Sequence, residues 1–187
     1  MDAVSLLKQD HNQVAALFKA FDEADSEDKI LLAGQICQLL TIHALIEAEL
    51  LYPAARGVLD EDVEALVDEA TVEHASVKAL VDQIASAGPG DELFEAKVTV
   101  LGGYVNHHVR EEEEKLFPAL QETQLDLKAL GLSLATRKKE LMTELGVSAD
   151  DAVEQPDAAE EAPADATPPT AKFSASVSRR GSSGPKC

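Results

Sequence analysis

A twelve-residue pattern occurs twice in this chain of 187 residues. From His43 it reads His43, Glu47, then Leu51-Tyr52-Pro53-Ala54; from His108 it reads His108, Glu112, then Leu116-Phe117-Pro118-Ala119. A His and a Glu four residues apart stand one helical turn apart on the same face, so both side chains address one point. On a strand the same two residues would be spread along one face rather than stacked. The pattern therefore demands helices, and a partner surface that makes use of a carboxylate.

The repeat is larger than this motif. Asp10-His11, followed by Val14, Ala16 and Leu17, matches Glu73-His74, followed by Val77, Ala79 and Leu80. The first two helices thus resemble the third and fourth as a unit, which predicts two similar hairpins packed about a pseudo-twofold axis. Apolar residues at helical spacing place helices over residues 2–24, 27–56, 60–87 and 91–122. Pro53 and Gly57 mark the end of the second, Gly88-Pro89-Gly90 that of the third, and Pro118 kinks or ends the fourth. In an up-down bundle, positions equally far from a shared turn lie level, and His11, His43, His74 and His108 come out near one layer. The expected fold is all-α: an up-down four-helix bundle over residues 1–122. A further Leu-rich helix within residues 123–146 is expected to pack on the bundle, the alternative being an extended helix that meets a partner. The Ala, Pro, Asp and Glu that follow, with a basic Ser-Gly end, suggest a disordered tail over residues 147–187.

Buried Glu is costly unless it is paired or bound to a cation. Four histidines, one per helix, with Glu47 and Glu112 in the same layer, predict a metal site. Asp10 and Glu73 are rotated by about 100° from their neighbouring histidines and are expected to face solvent or another helix. His107 is out of phase in the same way. Of the acids from Glu111 to Glu114, only Glu112 has the phase to point inward, and the rest of the run is expected to be mostly a solvated face.

Composition narrows the partners. Sixteen Lys and Arg against 35 Asp and Glu leave a formal charge of −19, which opposes the phosphate contacts of a nucleic-acid binder and docking to anionic lipid. Two cysteines, Cys37 and Cys187, give no disulfide framework, and Cys37 reads as a core residue. With no leader-like N-terminus and no span recognised as membrane-crossing, the expected location is cytoplasmic.

These residues resemble the hemerythrin-like, HHE cation-binding family, over about residues 1 to 122. The resemblance rests on the order His, His-x3-Glu, His, His-x3-Glu and on the Leu-aromatic-Pro after each pair. It implies two iron ions in an oxo- or hydroxo-bridged centre: His11 and His43 on one iron, His74 and His108 on the other, Glu47 and Glu112 bridging. Oxygen-carrying members place a further His four residues after the third-helix His, where this chain has Lys78, and end on a His-x4-Asp pair. The resemblance thus implies six protein ligands and open coordination. That favours reaction with hydrogen peroxide, catalase- or peroxidase-like. The alternative is reversible binding, sensing or storage of oxygen, nitric oxide or iron. Tyr104, four residues before His108, is expected one turn from the metals, where it could ligate, hydrogen-bond an oxygen species, or pack.

Overall fold

The computed structural model describes residues 1–87 and 90–147, apart from the Asp62 side chain. The expected disordered tail, Cys187 and the Gly88-Pro89 breaker fall outside these residues. Helices α1 (Ala3–Glu23), α2 (Ser26–Ile46), α3 (Tyr52–Arg56), α4 (Glu61–Ser86), α5 (Phe94–Glu111), α6 (Phe117–Gln121) and α7 (Leu127–Glu144) follow in order. A first π-turn (Glu47–Leu51) joins α2 to α3, and a second (Glu112–Leu116) joins α5 to α6. The fold is therefore all-α, with four rods in a bundle and α7 as a fifth.

Aspartates begin most rods. Asp2, Asp25, Asp60 and Asp126 each accept from free backbone N–H groups in the first turn of α1, α2, α4 and α7. The two π-turns explain how the chain passes its prolines. Pro53 and Pro118 sit at the start of α3 and α6. Inside an α-helix, proline lacks the N–H that would bond four residues back, and its ring strikes that carbonyl. Widening the preceding turn removes the conflict: Tyr52 N–H bonds Glu47 O, and Phe117 N–H bonds Glu112 O, each five residues back. The second and fourth rods consequently run on past Pro53 and Pro118, to Arg56 and Gln121.

The core divides in two. One cluster gathers Leu7, Ile42, Ile46, Leu51, Leu116 and Phe117 with their neighbours. The other gathers Val14, Ile36, Leu40, Val77, Leu101 and Val105 with theirs, including the free thiol Cys37, whose pKa burial pushes up to about 11. On every rod the histidine of interest falls where one cluster gives way to the other: His11 lies between Leu7 and Val14, and His74 between Ala70 and Val77. A polar layer thus crosses the bundle between two apolar caps.

Helix α7 closes only the first cluster, through Leu134 and Leu141. It approaches the start of α1 so closely that a Cβ on Gly131 would lie 2.6 Å from the Asp2 carbonyl carbon. An 18-residue window within Ser26–Arg56 has a mean hydropathy of 1.6, so this run is long and apolar enough to cross a membrane, contrary to the sequence reading; half of that window is buried inside the bundle. A core helix meets the same length and composition test as a membrane span.

Gly131→Ala is expected to cost about 1–3 kcal/mol, because backbone rather than a flexible side chain must yield. Urea denaturation measures it, and unchanged stability would contradict the close approach of α7 to α1.

Candidate metal centre

The polar layer holds His11 from α1, His43 from α2, Glu47 from the first π-turn, His74 from α4, His108 from α5 and Glu112 from the second π-turn. Glu47 and Glu112 are 0% and 2% exposed. Each carboxylate lies between histidines of different helices. Glu47 Oε1 is 3.2 Å from His43 Nε2, and Oε2 is 3.3 Å from His74 Nε2. Glu112 Oε2 is 3.4 Å from His11 Nε2 and 3.6 Å from His108 Nε2. Within each half the imidazoles meet through the same atom, at 3.3 Å for His11 and His43 and 3.1 Å for His74 and His108.

Tautomers decide what this cluster needs. A carboxylate only accepts, so His11 Nδ1 donates to Glu113 Oε1 at 2.8 Å and His108 Nδ1 donates to Glu73 Oε2 at 2.9 Å. In the neutral rings Nε2 is then a lone pair aimed into the layer. There it faces carboxylate oxygens that also only accept. Both oxygens of Glu47 and one of Glu112 are buried without a hydrogen-bond partner. Acceptors converging on acceptors, at zero exposure, call for cations. Imidazole and carboxylate are donors that suit iron, manganese or zinc. The residues fit a metal centre, with Glu47 and Glu112 positioned to touch both halves.

The family comparison follows from this geometry. The hemerythrin HHE cation binding domain family matches residues 2–120. The chain belongs to that family. A DNA nickase of a Nostoc species is 36% identical over 123 residues, which are 65% of this chain and 34% of that one. The chain spans about a third of that relative's length. An uncharacterised protein of Mycobacterium tuberculosis is 29% identical over 152 residues, covering 75% of this chain and 88% of that one. The crystal structure of a hemerythrin HHE cation binding domain-containing protein from Mycobacterium kansasii superposes with a TM-score of 0.66 at 24% identity, covering 77% of this chain and 89% of that one. That likeness speaks for the fold.

Around the six inner residues of this HHE chain stands an outer set that spacing alone did not reveal. Asp10 Oδ2 faces His43 Nδ1 at 3.6 Å, and Glu73 holds His108. These two acids do face neighbouring helices, but there they meet the back of a histidine. Glu113 was read as solvated; the second π-turn brings it against His11. Such carboxylates fix ring orientation and tautomer in metal sites. The duplicated acid-His pair, Asp10-His11 and Glu73-His74, was the signal for two of them.

Tyr104 corrects an expectation. It is 51% exposed, because the inward stripe of α5 runs through Leu101, Val105 and His108 and passes it by. The tyrosine at the centre is Tyr52. Its hydroxyl donates to Glu112 Oε1 at 3.2 Å and lies 3.2 Å from His74 Nε2. Tyr52 is five residues after Glu47, a spacing that shares a face only across a π-turn. Its counterpart Phe117 stacks on His11, with ring centroids 5.8 Å apart. The two halves therefore differ by one hydroxyl. They differ again at Glu113, whose counterpart after Glu47 is Ala48. Lys78 points away from the layer and pairs with Asp82 at 2.8 Å. His107 is exposed and meets Glu73 at 3.3 Å.

Burial alone would push the His43 pKa down, but the Glu47 and Asp10 carboxylates outweigh it and hold the pKa up at about 10, from 6.5. The pKa of Glu47 is held well below the usual carboxylate range, chiefly by the His43 charge acting against burial. In the metal-free chain a proton therefore substitutes for part of the missing positive charge. A raised histidine pKa stabilises the fold fully below 6.5 and ceases to do so as pH rises through about 10. Urea denaturation of the metal-free chain is expected to show stability falling over that interval. Metal loading is expected to release protons and remove the fall. Alkaline stabilisation of the metal-free chain would contradict this electrostatic account.

Proposed function

We propose that this layer holds two iron ions and that the protein reacts with hydrogen peroxide in a catalase- or peroxidase-like manner. In this reading His11 and His43 hold one ion, His74 and His108 the other, and Glu47 and Glu112 touch both. A pair of irons would supply two linked one-electron centres to a bound oxygen species. The residues of the chain have to admit that species, keep larger molecules off the centre and manage protons.

The observation that carries the proposal is a cavity of about 20 Å³ bounded by all four histidines. With ions on these histidines, a space of this size leaves room only for a ligand of a few atoms, which sets peroxide, oxygen or nitric oxide ahead of an organic substrate. Access lies on the His74 side. A second cavity of about 430 Å³ runs between α2 and α4, with Leu40, Ala44, Ala48 and Val77 among its walls, and it reaches His74 and Tyr52. Ala48 leaves that side open, whereas Glu113 occupies the corresponding place on the other. Burial and the neighbouring carboxylates of Glu47 and Glu112 push the Tyr52 pKa up. The hydroxyl consequently stays protonated and is placed to hydrogen-bond a small oxygen ligand beside His74.

Reversible binding of oxygen or nitric oxide is the second reading. The apolar walls of the larger cavity are compatible with it, since they suit a neutral diatomic molecule as well as they suit peroxide. The nicking of DNA named for the Nostoc relative is not carried over. Only a third of that protein is spanned, and a charge of −19 opposes phosphate contacts. A cytoplasmic setting goes with this reading.

Iron-loaded protein is expected to release oxygen from peroxide well above free iron, and His74→Ala to abolish the release. Tyr52→Phe is expected to slow it by roughly a hundredfold, the scale of a lost hydrogen-bond donor to the reacting oxygen. An oxygen electrode measures all three. A stable oxygen or nitrosyl spectrum without turnover would assign the centre to reversible binding instead.

A further inference from the structure

Helix α7 lies beyond the matched family segment, which ends at residue 120. Two of its cations nevertheless reach the surroundings of the polar layer. Arg137 Nε is 2.7 Å from Glu49 Oε2, in the first π-turn two residues after Glu47. Lys138 Nζ hydrogen-bonds Asp10 Oδ1, while Oδ2 of the same carboxylate faces His43 Nδ1. Asp10 is buried and Lys138 largely so, with 20% of its side chain exposed. A carboxylate in that position without a cation would be an isolated buried charge.

The equivalent acid in the other half takes its contacts from α5 rather than from α7. Glu73 has one more methylene, and it reaches His108 Nδ1 at 2.9 Å while remaining 23% exposed. Its other oxygen faces His107, on the bundle surface. Asp10 is shorter, stops 3.6 Å from its histidine, and takes its second contact from α7. The duplicated hairpins have therefore solved one problem in two ways, and only one of them depends on a helix outside the duplication.

We propose that Lys138 is a positioning residue for the metal centre: by holding Asp10 against His43, helix α7 sets how firmly the His11/His43 half retains its ion, independently of the other half. Neither Lys138 nor Asp10 touches the ion; both act through the orientation of the His43 ring. The proposal rests on the reading of the layer as a two-metal centre. It assigns α7 a role in the site in addition to covering the apolar cluster around Leu134.

The test follows release of iron(II) from the full-length, iron-loaded chain into an excess of a coloured chelator. Lys138→Met is expected to speed release of one of the two equivalents by roughly tenfold or more, the scale of lost outer carboxylate contacts, and to leave the other unchanged. Lys138→Arg is expected to restore the slow release. Lys139→Met, at an exposed neighbouring site, is expected to behave as wild type. Asp10→Asn keeps the side-chain shape and should speed the same equivalent, and adding Lys138→Met to it should do nothing further. Lys138→Met that changes neither equivalent, or speeds both alike, overturns the proposal, as do additive effects of the two substitutions. Wild type that holds no iron overturns the centre and the proposal together. Wild type that holds two, with Lys138→Met unaffected, overturns the proposal alone.

Discussion

Two carboxylates and four imidazoles, driven to the middle of an apolar bundle, present more acceptors than donors to one another. Everything else in the structure is arranged around that imbalance. A buried carboxylate with both oxygens unpartnered, as in Glu47, costs several kcal/mol unless positive charge is supplied. Protons supply part of it in the metal-free chain, through His43. Two metal ions would supply all of it, and the outer acids Asp10, Glu73 and Glu113 would then hold the rings in the tautomer that presents Nε2 inward.

The duplication provides the symmetry of the layer, and its imperfections provide the chemistry. The Leu-aromatic-Pro element looks like a helix stop, yet it widens one turn. That widening brings the residue five positions after each Glu onto the site. In one half this residue is Tyr52, with a hydroxyl between His74 and Glu112; in the other it is Phe117, which only stacks. Ala48 against Glu113, and Asp10 with Lys138 against Glu73, extend the same contrast. One half is open and carries a hydrogen-bonding hydroxyl; the other is closed and braced by α7. Inequivalent halves suit a centre that admits its ligand from a single side.

Much of this was legible in the sequence. The order of His and Glu, their helical spacing and the apolar periods around them placed four rods, a fifth helix and one shared layer; the pairing of ligands on two ions, which the family resemblance implies, stands as the proposal above. What escaped was whatever depends on phase across an irregular turn or on contacts between distant segments. Tyr104 was expected near the metals because four residues is a helical turn. On α5, however, the buried stripe steps by three from Val105 to His108, and position 104 falls outside it. Tyr52 was overlooked because five residues is not a regular α-helical turn. Glu113 looked solvated for the same reason. Lys138 and Asp10 are 128 residues apart, and nothing local marks them as partners.

The claim on which the account rests is that the convergent lone pairs exist to hold two ions. Crystals of the iron-loaded chain, measured across the iron absorption edge, test it directly. The account predicts two anomalous peaks roughly 3.5–4 Å apart, one beside His11 and His43, the other beside His74 and His108, with Glu47 and Glu112 contacting both. An empty layer, or iron found only at the surface acids around His107, would contradict it.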